Sequence, residues 1–359
     1  MVTKLFFEGD DYFHSLHQEI LLAKKTIDIE IYIFASDQVG RNLSDLLKQK
    51  VREGVRVRLL YDDMGCRDTD QFFLTNLEEA GCEMKAFQPV IQLGPDLTSR
   101  NHRKFVLIDQ KTAFLGGYNF TNEYSEKFFG KLAWRDTGVM TQDPEALEEL
   151  QQLFEAAWKG SWREFAVLVM DHWKRTRRRA YRVIPNFGLR RLSFIRQEYV
   201  AAMIRARKTI YLTQSYFVPD FGLIRVLRKA ARRGLDVRLI TAAESDVPFV
   251  RWCSQGTYQS LLSAGVKIYE YQDRMMHAKT GVVDDDWWTV GTANMDHLSL
   301  FRNLEVNLVS NDQEQSKVLI DQFFTDLKSC HEITFSEWKK RPWSYRLREQ
   351  FFLLFRHWL

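Results

Sequence analysis

Residues 101–123 read NHRKFVLIDQKTAFLGGYNFTNE, and residues 276–299 read MHAKTGVVDDDWWTVGTANMDHLS. Aligned on His102 and His277, they also match Lys104 with Lys279, Asp109 with Asp284, Gly116 with Gly291 and Asn119 with Asn294, at identical spacings. A lone His-x-Lys carries no information, but the same constellation twice in one chain does. In each stretch the run after the His-x-Lys reads as a buried strand, and residues two apart on a strand share a face. Gly116-Gly117 and Gly291-Thr292 then let backbone approach closely, and Asn119 and Asn294 return toward the same spot.

Outward from these motifs, the chain continues to repeat. QEILLAKKTIDIEIYI (18–33) corresponds to QEYVAAMIRARKTIYLTQSY (197–216), each a helix followed by a strand that opens Lys-Thr-Ile. LLKQKVREGVRVRLLYD (46–62) corresponds to VLRKAARRGLDVRLITA (226–242), and LEEAGCEMKAF (77–87) to LLSAGVKIYEY (261–271). A matched order of segments is the signature of an internal duplication. Ile27, Ile29, Ile31 and Ile33 recur at period two, which predicts a strand over 26–34 with one apolar face. Residues 40–53 and 221–233 have helical spacing and run into Gly54 and Gly234, as helix C-termini do. Strands alternating with helices of about a dozen residues define an α/β protein with a parallel or mixed sheet. The expected organisation is one half over 1–165, a basic linker over 166–191, a second half over 192–335 and a basic tail over 336–359.

If the two motifs face each other across a pseudo-two-fold, one pocket gathers two His, two Lys and two Asn. That inventory suits a phosphodiester. Lys104 and Lys279, with Asn119 and Asn294, can hold the non-bridging oxygens and the charge that grows during transfer. One imidazole can attack phosphorus while the other protonates the departing alkoxide. The lysines supply the positive charge, so the chemistry calls for no metal and no cofactor.

His-x-Lys-x4-Asp followed by Gly-Gly/Thr-x-Asn, present twice, resembles the signature of the phospholipase D superfamily, and the resemblance covers nearly the whole chain. It implies two α/β/α halves, a shared active site at their interface and a covalent phosphohistidine. It further implies that His102 is the nucleophile and His277 the general acid and base. Asp109 and Asp284 read as structural supports. Asp136 in WRDTGV and Glu305 in RNLEVN are the candidates for orienting the imidazoles, with Glu123 a further acidic neighbour. Within the superfamily, GGYNFTNEY, WRDTGV, QSYFVPD (214–220) and GTANMDHLSLFRNLEVN (291–307) resemble the bacterial cardiolipin synthases, especially forms lacking N-terminal membrane spans. The chain departs from many of them at Leu298, where they carry Arg. The activity implied is transfer of a phosphatidyl group from one phosphatidylglycerol to another, with release of glycerol. Hydrolysis to phosphatidic acid, another headgroup exchange and nuclease action are the alternatives.

Charge and aromatic residues bear on the substrate. The chain has 359 residues with 51 Lys and Arg against 47 Asp and Glu, a formal charge of +4. Residues 171–191 hold eight Lys and Arg against one Asp, and residues 336–359 hold six against two Glu. The body left over has 37 basic and 44 acidic residues, an acidic surplus that weighs against nucleic acid as partner. In the tail, Leu347, Phe351, Leu354, Phe355 and Trp358 stand near helical spacing among Arg346, Arg348 and Arg356. This predicts a basic amphipathic helix on an anionic phospholipid surface, with a helix packed on the core as the competing reading. Trp158, Trp162 and Trp173 lie at the start of the linker, where aromatic residues beside basic ones also suit an interface. No run of eighteen uncharged apolar residues occurs, so no spanning helix is expected. Four cysteines without Cys-x-x-Cys spacing fit reduced thiols rather than a disulfide scaffold. Together these point to a peripheral enzyme on the cytoplasmic face of a bacterial membrane.

Overall fold

The computed structural model describes residues 3–87, 99–160, 179–187 and 193–353. In the first half, β1 (Thr3–Phe6), β2 (Thr26–Ile31), β3 (Arg56–Asp62), β4 (Glu83–Phe87), β5 (Phe105–Ile108), β6 (Thr112–Gly116) and β7 (Gly138–Thr141) form a mixed sheet of order β1-β7-β6-β5-β2-β3-β4. In the second, β8 (Tyr181–Phe187), β9 (Thr209–Gln214), β10 (Asp236–Ala242), β11 (Lys267–Tyr271), β12 (Lys279–Val283), β13 (Trp287–Gly291) and β14 (Leu304–Ser310) repeat that order as β8-β14-β13-β12-β9-β10-β11. One further strand, β15 (Cys330–Ile333), pairs antiparallel with the edge of β11. The duplication expected from the sequence is therefore a duplication of sheet topology.

Local chemistry explains the elements. Asp37 caps the helix Gln38–Arg52 by accepting from Gly40 N, and the chain leaves that helix through Gly54 at φ +85°. Asp220 does the same for the helix Phe221–Arg232, accepting from Gly222 and Leu223 N before the exit at Gly234, φ +88°. β2 stops at Ile31, short of the 26–34 expected, because the chain turns away at Tyr32 and Ile33 N donates to the Asn119 side chain. Nor is β2 apolar on one face and wet on the other. Its polar positions are buried too, with Asp28 in a two-pronged bond to Arg58 of β3 and Glu30 beside Arg103. A sheet covered by helices on one side and the other half on the other has no wet face.

The two halves share a core that runs from Leu107, Leu115 and Val139 of the first sheet to Val290, Val306 and Leu308 of the second. Burial on this scale makes the halves one unit. Two expected segments look different. The described part of the linker over 166–191 contains β8, a buried strand paired along its length with β14. The second half therefore begins at Tyr181 rather than at 192, because β8 occupies the place that β1 holds in the first half. Trp162 and Trp173 lie outside the described residues.

In the tail, the helices Phe335–Lys340 and Trp343–Leu353 pack on the helix Pro248–Leu262. Phe352 lies on Phe249 and Trp252, Trp338 is buried against Tyr258, and Arg341 grips Glu349. The packed-helix reading thus holds for one side of the tail. Trp343, Leu347 and Phe351, four residues apart in turn, stay exposed on the same helix. Leu354, Phe355, Arg356 and Trp358 lie outside the described residues. Among the described residues, no helix is long and apolar enough to cross a membrane.

Candidate active site

His102 and His277 stand just before β5 and β12, and each is pinned to the opposite half by a short backbone bridge. His102 N donates to Leu304 O (3.0 Å), and Leu304 N donates to Arg100 O (2.9 Å). His277 N donates to Arg135 O (2.7 Å), and Arg135 N donates to Met275 O (2.9 Å). Leu304 and Arg135 immediately precede Glu305 and Asp136. Each bridge thereby delivers a carboxylate from one half to an imidazole of the other. His102 Nδ1 lies 3.0 and 3.1 Å from the two Glu305 oxygens, and His277 Nδ1 lies 2.6 Å from Asp136 Oδ2. Glu305 and Asp136 are both completely buried.

These contacts set the tautomers. A carboxylate at Nδ1 accepts the Nδ1–H, leaving Nε2 as the reactive atom on each ring. Tyr124 Oη (3.1 Å) and Lys279 Nζ (2.8 Å) also approach His277 Nδ1. One N–H can serve only one close acceptor, and the charged Asp136 oxygen is the nearest, so the bond to Asp136 defines the ring. Burial lowers the pKa of His102, with Glu305 opposing. Burial, then the Lys279 ammonium, pulls His277 down to about 4 against Asp136. Both rings are thus neutral near pH 7 without an anion in the site.

Lys104 and Lys279 are buried, each donating from Nζ to the carbonyl of its own histidine, at 2.8 Å for Lys104. Burial pushes Lys104 down to about 7 and lowers Lys279 as well. Asp136 comes no closer to Lys279 Nζ than 4.0 Å. Two buried ammonium groups under this strain are stabilised by an anion placed between them. Asn119 Oδ1 accepts from Ile33 N (3.2 Å), and its Nδ2 donates to Tyr124 Oη (3.3 Å). Asn294 is buried with its Oδ1 unpartnered, which leaves hydrogen-bonding capacity at the site unused.

Asp109 and Asp284 lie at the far ends of β5 and β12, away from the histidines. Asp109 accepts from the backbone N–H groups of Lys24, Lys25 and Thr26, and Asp284 from those of Arg207, Lys208 and Thr209. Each sits in the left-handed region, φ +50° and +55°. They tie the start of β2 to the end of β5, and the start of β9 to the end of β12. Glu123 does not reach either imidazole; its carbonyl accepts from Trp134 N (2.6 Å).

Several neighbours escaped sequence reasoning. Tyr32 meets the edge of His102 at 4.8 Å, and Trp134 lies 5.3 Å from His277. Thr292 Oγ1 donates to Glu305 Oε2 at 2.5 Å. At the matching position, a Cβ on Gly117 would fall 2.2 Å from the Asp136 oxygens. Asp62 fastens the strand entry by accepting from Arg100 Nη2 (2.7 Å) and Asn101 N (2.8 Å). The Gly117/Thr292 mismatch between otherwise matching motifs was the one visible signal of these contacts.

Duplicated mixed sheets with paired His-x-Lys motifs at their junction define a phospholipase D-like enzyme. The chain matches the family described as "Cardiolipin synthase, PLD-like domain" over residues 16–158 and 199–327. It is 34% identical to cardiolipin synthase 2 of Bacillus anthracis over 98% of this chain and 70% of that protein. It is 34% identical to the major cardiolipin synthase ClsA of Bacillus subtilis over 95% and 72%. Among solved structures, phosphatidylserine synthase of Haemophilus influenzae superposes with a TM-score of 0.77 at 14% identity, covering 99% of this chain and 95% of that one. Polyphosphate kinase of Porphyromonas gingivalis gives 0.63 at 14% identity, over 93% and 49%. The chain belongs to the cardiolipin synthase family of phospholipase D-like enzymes.

Proposed function

We propose that this enzyme joins two phosphatidylglycerol molecules into cardiolipin and glycerol through a phosphohistidine on His102. The observation that carries the reading is the crossed pair of histidine–carboxylate contacts, with two buried lysines beside them whose nearest carboxylate among the described residues is Asp136, 4.0 Å from Lys279 Nζ. A phosphodiester anion bound between Lys104 and Lys279 restores their charge and raises the pKa of His277, so that this ring becomes protonated. His102 Nε2 attacks phosphorus as the bond to the glycerol oxygen breaks, and His277 Nε2–H protonates that oxygen. The primary hydroxyl of a second phosphatidylglycerol then gives its proton to His277 Nε2 and bonds to phosphorus, while the N–P bond to His102 breaks. The cycle leaves one cardiolipin, one glycerol and the starting enzyme. Glu305 and Asp136 stabilise the positive charge on each ring as it develops. Lys104, Lys279, Asn119 and Asn294 hold the equatorial oxygens. Each chemical role is filled by a residue of this chain.

A lipid substrate is supported by the exposed Trp343, Leu347 and Phe351, which give the tail an apolar stripe, and by the surplus of basic residues over 171–191 and 336–359. We assign the protein to the surface of an anionic phospholipid membrane, as a peripheral enzyme on the cytoplasmic face. Purified enzyme incubated with phosphatidylglycerol vesicles and a chelator tests the assignment. Cardiolipin and glycerol in equal amounts are expected. Phosphatidic acid alone identifies a hydrolase, nicking of plasmid DNA a nuclease, and no lipid turnover refutes the proposal.

A further inference from the structure

Between Tyr124 and Trp134, two residues that touch His277, the chain makes an excursion over residues 126–132, EKFFGKL. Two short turns build it, Glu126–Phe129 and Gly130–Leu132, and Gly130 between them takes φ +75°. Its base is fastened on both sides. Ser125 Oγ and Lys127 N donate to Asp10, and Trp134 N donates to Glu123 O at 2.6 Å. The excursion itself is not packed into the protein: no residue from Glu126 to Leu132 is buried, Leu132 is 65% exposed and Phe129 45%. Lys127 and Lys131 are exposed beside them. A single exposed apolar side chain is ordinary. Two together, interleaved with lysines on the loop that carries Trp134 to His277, have the composition of a segment that sits at a lipid–water interface.

The exposed stripe of the tail reaches the same side of the site. The Tyr216 ring lies 6.3 Å from His277, and Tyr216 packs with Phe249 and Phe352 around Val218, Val250 and Cys253. Phe352 adjoins the exposed Phe351, so the loop and the end of the stripe flank one histidine. Charge separates this side from the other. The loop fastened to Tyr32 through Cys66, on the His102 side, also exposes a large aromatic, Phe72 at 71%, but over residues 63–72 it holds Asp63, Asp68 and Asp70 against Arg67 alone. On the His277 side, Lys127 and Lys131 stand against Glu126. The loop leading to Phe249 adds Glu244 and Asp246, and the tail brings six Lys and Arg against two Glu. An anionic surface attracts the His277 side and repels the other.

We propose that residues 126–132 form a lipid-inserting lip, and that the enzyme docks on an anionic phospholipid bilayer with its His277 side toward the membrane. Phe129 and Leu132 enter the acyl region while Lys127 and Lys131 meet the headgroups. The inference rests on the lipid substrate proposed above and names the face that meets it. A phosphatidyl group whose phosphorus lies between Lys104 and Lys279 must leave its acyl chains outside that polar site, and the lip gives them an apolar path back to the bilayer.

The test compares vesicle flotation with turnover of two forms of substrate, long-chain phosphatidylglycerol in vesicles and dihexanoyl-phosphatidylglycerol kept monomeric. The double variant Phe129→Ser/Leu132→Ser is expected to lose about tenfold or more in vesicle binding and vesicle turnover, with turnover of the monomeric lipid retained, which also shows that the variant is folded. Lys127→Gln/Lys131→Gln should weaken binding to phosphatidylglycerol vesicles by about tenfold and make the remaining binding less sensitive to salt. Leu22 and Ile204 are exposed at the opposite end of the sheets, near Asp109 and Asp284, and Leu22→Ser/Ile204→Ser should float like wild type. Unchanged flotation of the Phe129/Leu132 variant, or a larger loss in the Leu22/Ile204 variant, refutes the lip. Equal loss on vesicles and monomers refutes it too, because the loop would then act on the chemistry. Wild-type enzyme that floats but consumes neither form of phosphatidylglycerol refutes the transfer reading, while the flotation results still decide the lip.

Discussion

The two half-sites share one plan and differ in how they support it. On the His102 side the carboxylate is Glu305, bonded through both oxygens to the ring and receiving the Thr292 hydroxyl. On the His277 side it is Asp136, one methylene shorter, bonded through Oδ2 and receiving Thr137 N at 2.6 Å. The shorter acid needs the backbone opposite to come closer, and Gly117 permits this where Thr292 fills the space on the other side. A duplicated pair of rings also stands in two different aromatic settings, His277 beside Tyr124 and Trp134 and His102 against Tyr32.

Removing either ring should have the largest effect. His102→Ala and His277→Ala should each lower cardiolipin formation by about 10³-fold or more. A donor ester with a nitrophenolate leaving group separates them, since that group needs no proton. His277→Ala should still release a burst of nitrophenolate, and His102→Ala should not. A burst in His102→Ala would reverse the roles. Next come the carboxylates. Glu305→Gln and Asp136→Asn should each cost about 10²–10⁴-fold in kcat, because the amide can present the wrong hydrogen-bonding atom to Nδ1 and carries no charge. Equal activity of variant and parent would remove the orienting role.

The pH profile follows from the same groups. Protonating His102, whose pKa lies below the ordinary histidine value, removes the nucleophile, so kcat/KM should fall on the acid side. Lys104 titrates at about 7 in the free enzyme, so the anion hole loses its charge and kcat/KM falls again as pH rises through that value. Lys104→Arg, which stays charged, should be less active at its optimum yet lose the alkaline limb. An alkaline limb that stays near 7 in this variant would assign it to another group. The smaller effects lie at Thr292 and on the tail. Thr292→Val should cost about 3–10-fold in kcat, the worth of one hydrogen bond to Glu305. Replacing Trp343, Leu347 and Phe351 by Ser should weaken vesicle flotation while leaving cleavage of a soluble ester intact. Unchanged flotation would remove the stripe as an anchor.

Much of this was legible in the sequence because the chain states it twice. The matched spacing of His102–Asn119 and His277–Asn294 placed the motifs on equivalent strands, and the Gly54 and Gly234 exits placed the helices. Asp136 and Glu305 could be picked out only through family resemblance. Their approach depends on bridges at Arg135 and Leu304 that cross between halves some 140 to 200 residues apart in the chain. No local periodicity encodes such a contact. β8 was hidden for a related reason: Tyr181–Phe187 follows a run of arginines whose charge suggested an exposed linker, while Arg182 is buried against Glu198. Composition counts charges but does not see their partners.

The central claim is that one histidine carries the phosphatidyl group and the other moves protons. Acid-quenched His277→Ala enzyme, taken during the nitrophenolate burst and analysed by peptide mass spectrometry, tests it most directly. The phosphatidyl adduct should be found on His102. An adduct on another residue, or a full burst with no adduct at all, would contradict the account.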